Sequence, residues 1–174
     1  MLDLHELSAT LLSLPDVLEA LLRPIDDTVL RTRPDPDEWC PLEVIGHLIA
    51  CDGEAFRDRI AAILDGDAVI PGFRPWDAIN ARDLRSMSLD ELLAELRNER
   101  VTSAAFVGAL AGRDLTSTGS LAGETREFTA ADFLHEWCFH DQDHLKQILD
   151  CTKRHYPPHL TDTMRDALAL GVTE

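Results

Sequence analysis

Apolar residues recur three and four positions apart along four stretches of the chain, the spacing that places them on one face of an α-helix. In the first stretch, from Asp3 to Ile25, the residues Leu4, Leu7, Leu11, Leu14, Leu18, Leu21 and Ile25 make a bundle-type seam. Pro15 lies within it. A proline has no N–H and crowds the preceding turn, so a kink or a division into two shorter helices is expected there. The second stretch opens at Pro41, at a position where a missing N–H costs nothing, and runs to about Leu64 before Gly66 stops it. Its apolar positions are Val44, Ile45, Leu48, Ile49, Phe56, Ile60 and Ile63. The third begins at the capping box Ser88-x-x-Glu91, carries Leu89, Leu93, Leu96, Ser103, Val107 and Leu110 on one stripe, and ends at Gly112. The fourth is capped by Thr129-x-x-Asp132 and runs to about Cys151.

The segments between these stretches are long. Asp26 to Glu38 carries Pro34 and Pro36 and predicts a connection with one short turn. Asp67 to Trp76 predicts a loop, followed by a short helical piece over Asp77 to Arg85. Arg113 to Phe128, rich in Gly, Ser and Thr, predicts a loop with room for a small hairpin. A short C-terminal helix is expected over Thr161 to Leu170. Strand signals are weak throughout. The prediction is all-α: a single domain over 1–174, built as a four-helix bundle with long connections plus a short C-terminal helix. Loops of this length are uncommon in compact domains unless they serve a function, and here they would lie over the bundle ends.

Composition narrows the partners. Apolar residues make up 45% of the chain, enough for a packed core. The 32 acids outnumber the 16 bases, for a formal charge of -16. That balance argues against nucleic acid or an anionic membrane as partner, because both are bound through Lys and Arg. No apolar run reaches transmembrane length, and Met1 to Glu6 has no basic leader region, so a cytoplasmic protein is expected. The four cysteines, Cys40, Cys51, Cys138 and Cys151, form no C-x-x-C pair and are expected to be reduced and mostly buried.

The chemistry concentrates in histidines. His140 and His144 are one helical turn apart on the stripe Phe133, Trp137, His140, His144, Ile148 and Cys151. Two imidazoles spaced in this way can share one metal ion. On the second helix His47 falls between Val44 and Cys51 at helical spacing. Three histidines would leave a coordination position free for water or substrate, the pattern of a catalytic metal. The competing reading is that each is a satisfied core or interface residue. His5, His135, His155 and His159 are expected on the surface. A carboxylate-bridged di-iron site is disfavoured, since Glu43 and His47 stand four apart where such a site needs three.

Asp52 and Arg100 also fall on apolar stripes. A buried charge persists only when it is paired. Three readings stand: the two residues face each other, Asp52 supports a metal-binding imidazole, or both reach solvent at the stripe edge. Cys51, one turn beyond His47, reads as a thiolate ligand, a reactive group or a core residue. Trp39 and Trp137 read as packing residues, with Trp137 a candidate wall of the pocket.

Several of these segments together resemble the DinB-like (YfiT-like) superfamily. They are Trp39-x-x-x-Glu43-x-x-x-His47-Leu48, Asp52, Arg59-Ile60 and His140-Asp141-x-x-His144-Leu145-x-Gln147-Ile148, and the similarity spans about Leu11 to Cys151. The resemblance implies a four-helix bundle holding a divalent metal, often zinc or nickel, through His47, His140 and His144; in such a site Asp52 or Asp141 is the candidate to orient a ligand ring. It also implies homodimers and a small-molecule substrate. Related proteins include S-transferases that use a low-molecular-weight thiol (bacillithiol, mycothiol or glutathione) and mycothiol-dependent maleylpyruvate isomerases. The expectation is a metal-dependent thiol S-transferase or hydrolase, and the alternative is a non-catalytic, stress-associated metal-binding bundle. Cys40 departs from the family pattern, standing where Ser or Thr commonly caps the second helix.

Overall fold

The carboxylate of Asp3 accepts hydrogen bonds from the backbone of His5 (2.9 Å) and Glu6 (3.2 Å), satisfying two otherwise orphaned donors and starting α1, Leu4–Leu22. The structure, a computed structural model, describes residues 3–170; the outermost ends of the expected 1–174 domain lie outside the described residues. Of the kink or division expected at Pro15, the division is not found: α1 is one helical run with Pro15 buried inside it. It stops before Ile25 because Pro24 follows: Arg23 is still in helical conformation, but Pro24 has no N–H with which to continue the ladder.

The connection after α1 contains α2, Asp27–Arg31, capped by the Asp26 carboxylate. The second long helix is not uniform. It comprises α3 (Pro41–Ala50), a π-helical segment (Cys51–Arg57) and α4 (Asp58–Asp65). At the join, the N–H of Asp58 donates to the carbonyl of Gly53, five residues back. Wide turns of this kind are frequent at functional sites, and the apolar spacing that predicted a plain helix is blind to them. Beyond α4 come α5 (Pro75–Asn80), α6 (Leu89–Ala109), α7 (Ala130–Lys153) and α8 (Asp162–Ala167). The capping boxes at Ser88 and Thr129 are formed as expected.

The long loops are partly strand. β1 (Val69–Ile70) pairs in parallel with β2 (Thr118–Leu121), which pairs antiparallel with β3 (Glu127–Thr129), giving a three-stranded sheet of order β1-β2-β3. The hairpin falls in the segment where one was anticipated; β1 was not foreseen, because two residues are too few to show a period. Gly119 permits the pairing, since a Cβ there would lie 2.8 Å from the Ile70 side chain and 3.0 Å from the Asp67 carbonyl.

Around the bundle, α1 and the α3–α4 helix stand opposite each other, as do α6 and α7. Two apolar clusters fill the interior. One contains Leu14, Leu18, Leu22, Leu48, Leu96 and Ile148, and the other contains Leu7, Leu11, Phe56, Ile60, Val107 and Trp137. Following each helix from one cluster to the other, α1 and α7 run one way while α3–α4 and α6 run the other. Consecutive long helices are therefore diagonal neighbours at two of the three crossings, which is why the connections must be long. No helix among the described residues is long and apolar enough to cross a membrane.

Candidate metal centre

Between the two apolar clusters lies a level of polar side chains. On α6 it is Arg100 and Ser103, on the π-helical segment Asp52, and on α7 Asp141. Arg100 is 1% exposed and its guanidinium donates to both oxygens of Asp141, at 2.7 and 2.8 Å. The same group lies 3.3 Å from Asp52. Asp52 also accepts from the Ser103 hydroxyl at 2.9 Å and from the Trp137 indole at 3.1 Å. Of the three readings for Asp52 and Arg100, pairing is the one found. Burial raises the pKa of Asp52 to about 6 against the opposing pull of Arg100, and it raises that of Asp141 as well. On Arg100 burial acts to lower the pKa, but the two carboxylates outweigh it and keep the guanidinium charged.

At the same level, on the side facing a cavity of about 390 Å³, the three expected histidines converge. His47 comes from α3, and His140 and His144 from successive turns of α7. The Nε2 of His140 is 3.1 Å from the Nε2 of His47 and 3.1 Å from the Nε2 of His144. His5, His135, His155 and His159 are exposed, as expected. Burial, followed by the neighbouring imidazoles, lowers the pKa of His47 to about 2. Burial, His144 and Arg100 lower that of His140 to about 3, and burial lowers His144 despite its Gln147 partner. All three rings are therefore neutral near pH 7.

Neutral rings raise a proton-counting problem. The Nδ1 of His144 is 2.8 Å from Gln147 Oε1, an acceptor, so the ring's one proton sits there and its Nε2 presents a lone pair. The Nε2 of His140 is common to both 3.1 Å contacts and carries either one hydrogen or one lone pair, so it cannot satisfy both neighbours. A cation can. Zinc–imidazole bonds of about 2.0–2.1 Å in a tetrahedron place ligand nitrogens roughly 3.3 Å apart, so the observed spacing fits one metal ion. The Nδ1 of His140 is buried without a hydrogen-bond partner.

Cys51 lies against the same group. Its Sγ is 3.3 Å from His47 Nε2, 3.6 Å from His47 Nδ1 and 3.7 Å from His140 Nε2. Among the described residues, His47, Cys51 and His140 form a cluster whose donor atoms all lie within 4.8 Å of one another. Burial pushes the Cys51 thiol pKa far up.

Neither Asp52 nor Asp141 is bonded to an imidazole; both carboxylates belong to the Arg100 layer. Trp137 lies beneath the cavity rather than on its wall, stacked on Phe56 at 4.8 Å, and Phe56 in turn meets His140 edge-on at 5.3 Å. The aromatic wall is Trp39, 4.6 Å from the His47 ring, together with Phe73. The cavity is also lined by Arg59 and Glu136. The residues that line it from loops, such as Phe73, carry no periodic signal. Gln147, by contrast, was legible as the third residue after His144. Glu43, considered for a di-iron site, instead caps α3: its carboxylate accepts from Arg33 at 2.7 Å and from the Cys40 backbone at 3.0 Å.

A four-helix bundle with a histidine cluster opening on a cavity at mid-height is thus the class of protein defined by fold and site. The sequence matches the DinB superfamily over residues 10–148, and the chain belongs to that superfamily. Among solved structures it is similar to YfiT from Bacillus subtilis, described as a probable metal-dependent hydrolase with an unusual four-helix bundle topology. The two share 16% identity, with a TM-score of 0.75 over 87% of each chain, a likeness of fold. No curated protein matches the chain significantly.

Proposed function

We propose that the protein binds one divalent metal through His47, His140 and His144 and acts on a small molecule as a metal-dependent hydrolase or thiol S-transferase. The observation that carries this reading is the pair of 3.1 Å contacts among three neutral Nε2 atoms, which lack the protons to satisfy one another. The probable metal-dependence ascribed to YfiT supports it. The family resemblance points to zinc or nickel; three imidazoles alone suit zinc, nickel, iron and copper alike. Such an ion, when bound, lowers the pKa of a coordinated thiol or water toward neutrality.

The chain's own residues then have separate tasks. Gln147 fixes the tautomer of His144 by accepting a hydrogen bond from its Nδ1–H. Trp39, Phe56 and Phe73 exclude water from one side of the cavity and offer an apolar face to substrate. Arg59 gives the cavity a cationic group, and Glu136 gives it an acidic one whose pKa burial raises.

The test is elemental analysis of protein purified without a nickel column, beside His144→Ala. Close to one equivalent of metal in the parent and little in the variant is expected; equal content in both, or none in either, refutes the site. Catalysis is tested by offering a chloro-aromatic electrophile with a panel of low-molecular-weight thiols. Conjugation abolished by a chelator identifies a transferase. Chelator-sensitive ester or amide hydrolysis without conjugation identifies a hydrolase. Neither activity, with metal retained, leaves a non-catalytic metal-binding bundle.

A further inference from the structure

We propose that Cys51 supplies a fourth protein ligand, as thiolate, to the metal held by His47, His140 and His144, so that the resting site is closed by the protein's own sulfur. This inference rests on the three-histidine reading above and adds to it a ligand that an open catalytic site would not have.

The geometry carries it. Zinc–sulfur bonds of about 2.3 Å and zinc–nitrogen bonds of about 2.0–2.1 Å place tetrahedral S and N ligands roughly 3.6 Å apart. Cys51 Sγ lies 3.3 Å from His47 Nε2 and 3.7 Å from His140 Nε2, bracketing that value. The sulfur therefore lies against the same group of donors, over the face of the His47 ring and within 4.8 Å of His47 and His140 ligand atoms, and a turn of the short Cys51 side chain on metal binding completes the sphere. Backbone geometry explains how it gets there: Cys51 is one turn beyond His47, where the wide π-helical segment begins. The one-turn spacing puts Cys51 on the cavity face with His47, while its neighbour Asp52, rotated around the helix, is buried against Arg100.

Charge agrees with geometry. Three neutral imidazoles would leave a dication in a partly buried site, and Arg100, close enough to influence His140, adds a further positive field. A thiolate removes one unit of that charge. Without metal the buried sulfur remains a neutral thiol. On binding, the S–H proton passes to solvent as the sulfur–metal bond forms, with no change in oxidation state. An external thiol or water would then bind in place of Cys51, its proton passing to the released Cys51 sulfur, which makes that sulfur a gate on the proposed chemistry.

The full-length apoprotein, titrated with cobalt(II), separates this inference from the reading beneath it. Visible ligand-field bands report the histidine site, and a near-ultraviolet thiolate-to-cobalt charge-transfer band reports the sulfur. Both are expected in the parent and in Cys138→Ser. Cys51→Ser should keep the visible bands and lose the charge-transfer band, and cobalt-loaded Cys51→Ala should shift its visible bands on adding azide at concentrations that leave the parent unchanged. Visible bands without charge transfer in the parent overturn the role of Cys51 alone, whatever the variants do. So does azide acting equally on parent and variant. Failure to bind cobalt at all overturns both this inference and the three-histidine site.

Discussion

Replacing Arg100 with methionine removes the only cation among the described residues in contact with Asp141 and Asp52 while keeping much of the side chain's length. Contacts of 2.7, 2.8 and 3.3 Å are lost, all at positions no more than 2% exposed. Breaking a buried pair by removing one partner costs about 3–5 kcal/mol, because the remaining charge has neither water nor counter-ion. That is a large part of the roughly 5–15 kcal/mol that holds a domain of ordinary stability together. With a urea slope of about 2 kcal/mol/M, the unfolding midpoint should fall by around 2 M. The diagnostic comparison is the double variant Arg100→Met/Asp141→Leu. It deletes more polar contacts than the single variant yet should be the more stable of the two, since it leaves less charge stranded. If instead the double variant is at least as unstable as the sum of the two singles, packing and not uncompensated charge sets the cost, and the electrostatic account of this layer is wrong.

Three further outcomes are expected. Gln147→Leu should weaken metal affinity about 10–100-fold in a competitive chelator titration by freeing the His144 tautomer, whereas Gln147→Glu should not; equal affinity of parent and leucine variant refutes the role given to Gln147. Glu43 would be raised by its burial, but the Arg33 and Cys40 hydrogen bonds outweigh this and hold its pKa below the ordinary carboxylate value. It therefore contributes stability above about pH 4.3 that disappears as pH falls through its lower folded pKa, so Glu43→Gln should flatten the acid limb of a stability–pH curve, and an unchanged limb contradicts this. Gly46→Ala would set a Cβ 2.5 Å from the buried Leu84 side chain. Overpacking of about 1–3 kcal/mol outweighs the roughly 1 kcal/mol that alanine gains in a helix, so the melting temperature should drop, and a rise would show that Leu84 yields freely.

The long helices and the histidine pair were legible in the sequence because both depend on one periodicity, the 3.6-residue turn. Leu93, Leu96 and Val107 reveal α6, and the same rule sets His140 beside His144. His47 was legible only as a position on a face; its meeting with α7 depends on how two distant helices pack. What the sequence hid breaks the period. Gly53 marks the wide turn, yet a lone glycine in a helical pattern has many meanings. β1 is too short to show alternation, and its partner β2 is some fifty residues away. Phe73 reaches the cavity from a loop, where spacing carries no directional information. Trp137 was read as a pocket wall because it shares a stripe with His140; the structure instead puts Trp39 there, from the turn before α3.

Leucine and isoleucine ladders are indifferent to sliding: a helix displaced along its axis by one turn, about 5.4 Å, exchanges one aliphatic neighbour for another. The guanidinium of Arg100 is not indifferent. The same displacement would carry it away from Asp141, in one direction into the hydrocarbon around Leu96 and in the other to the level now held by Ser103. Arg100 and Asp141 thus work like a key in a slot between α6 and α7, admitting one vertical alignment. Because His140 is the residue immediately before Asp141, that alignment also decides the height at which the imidazoles of α7 come level with His47.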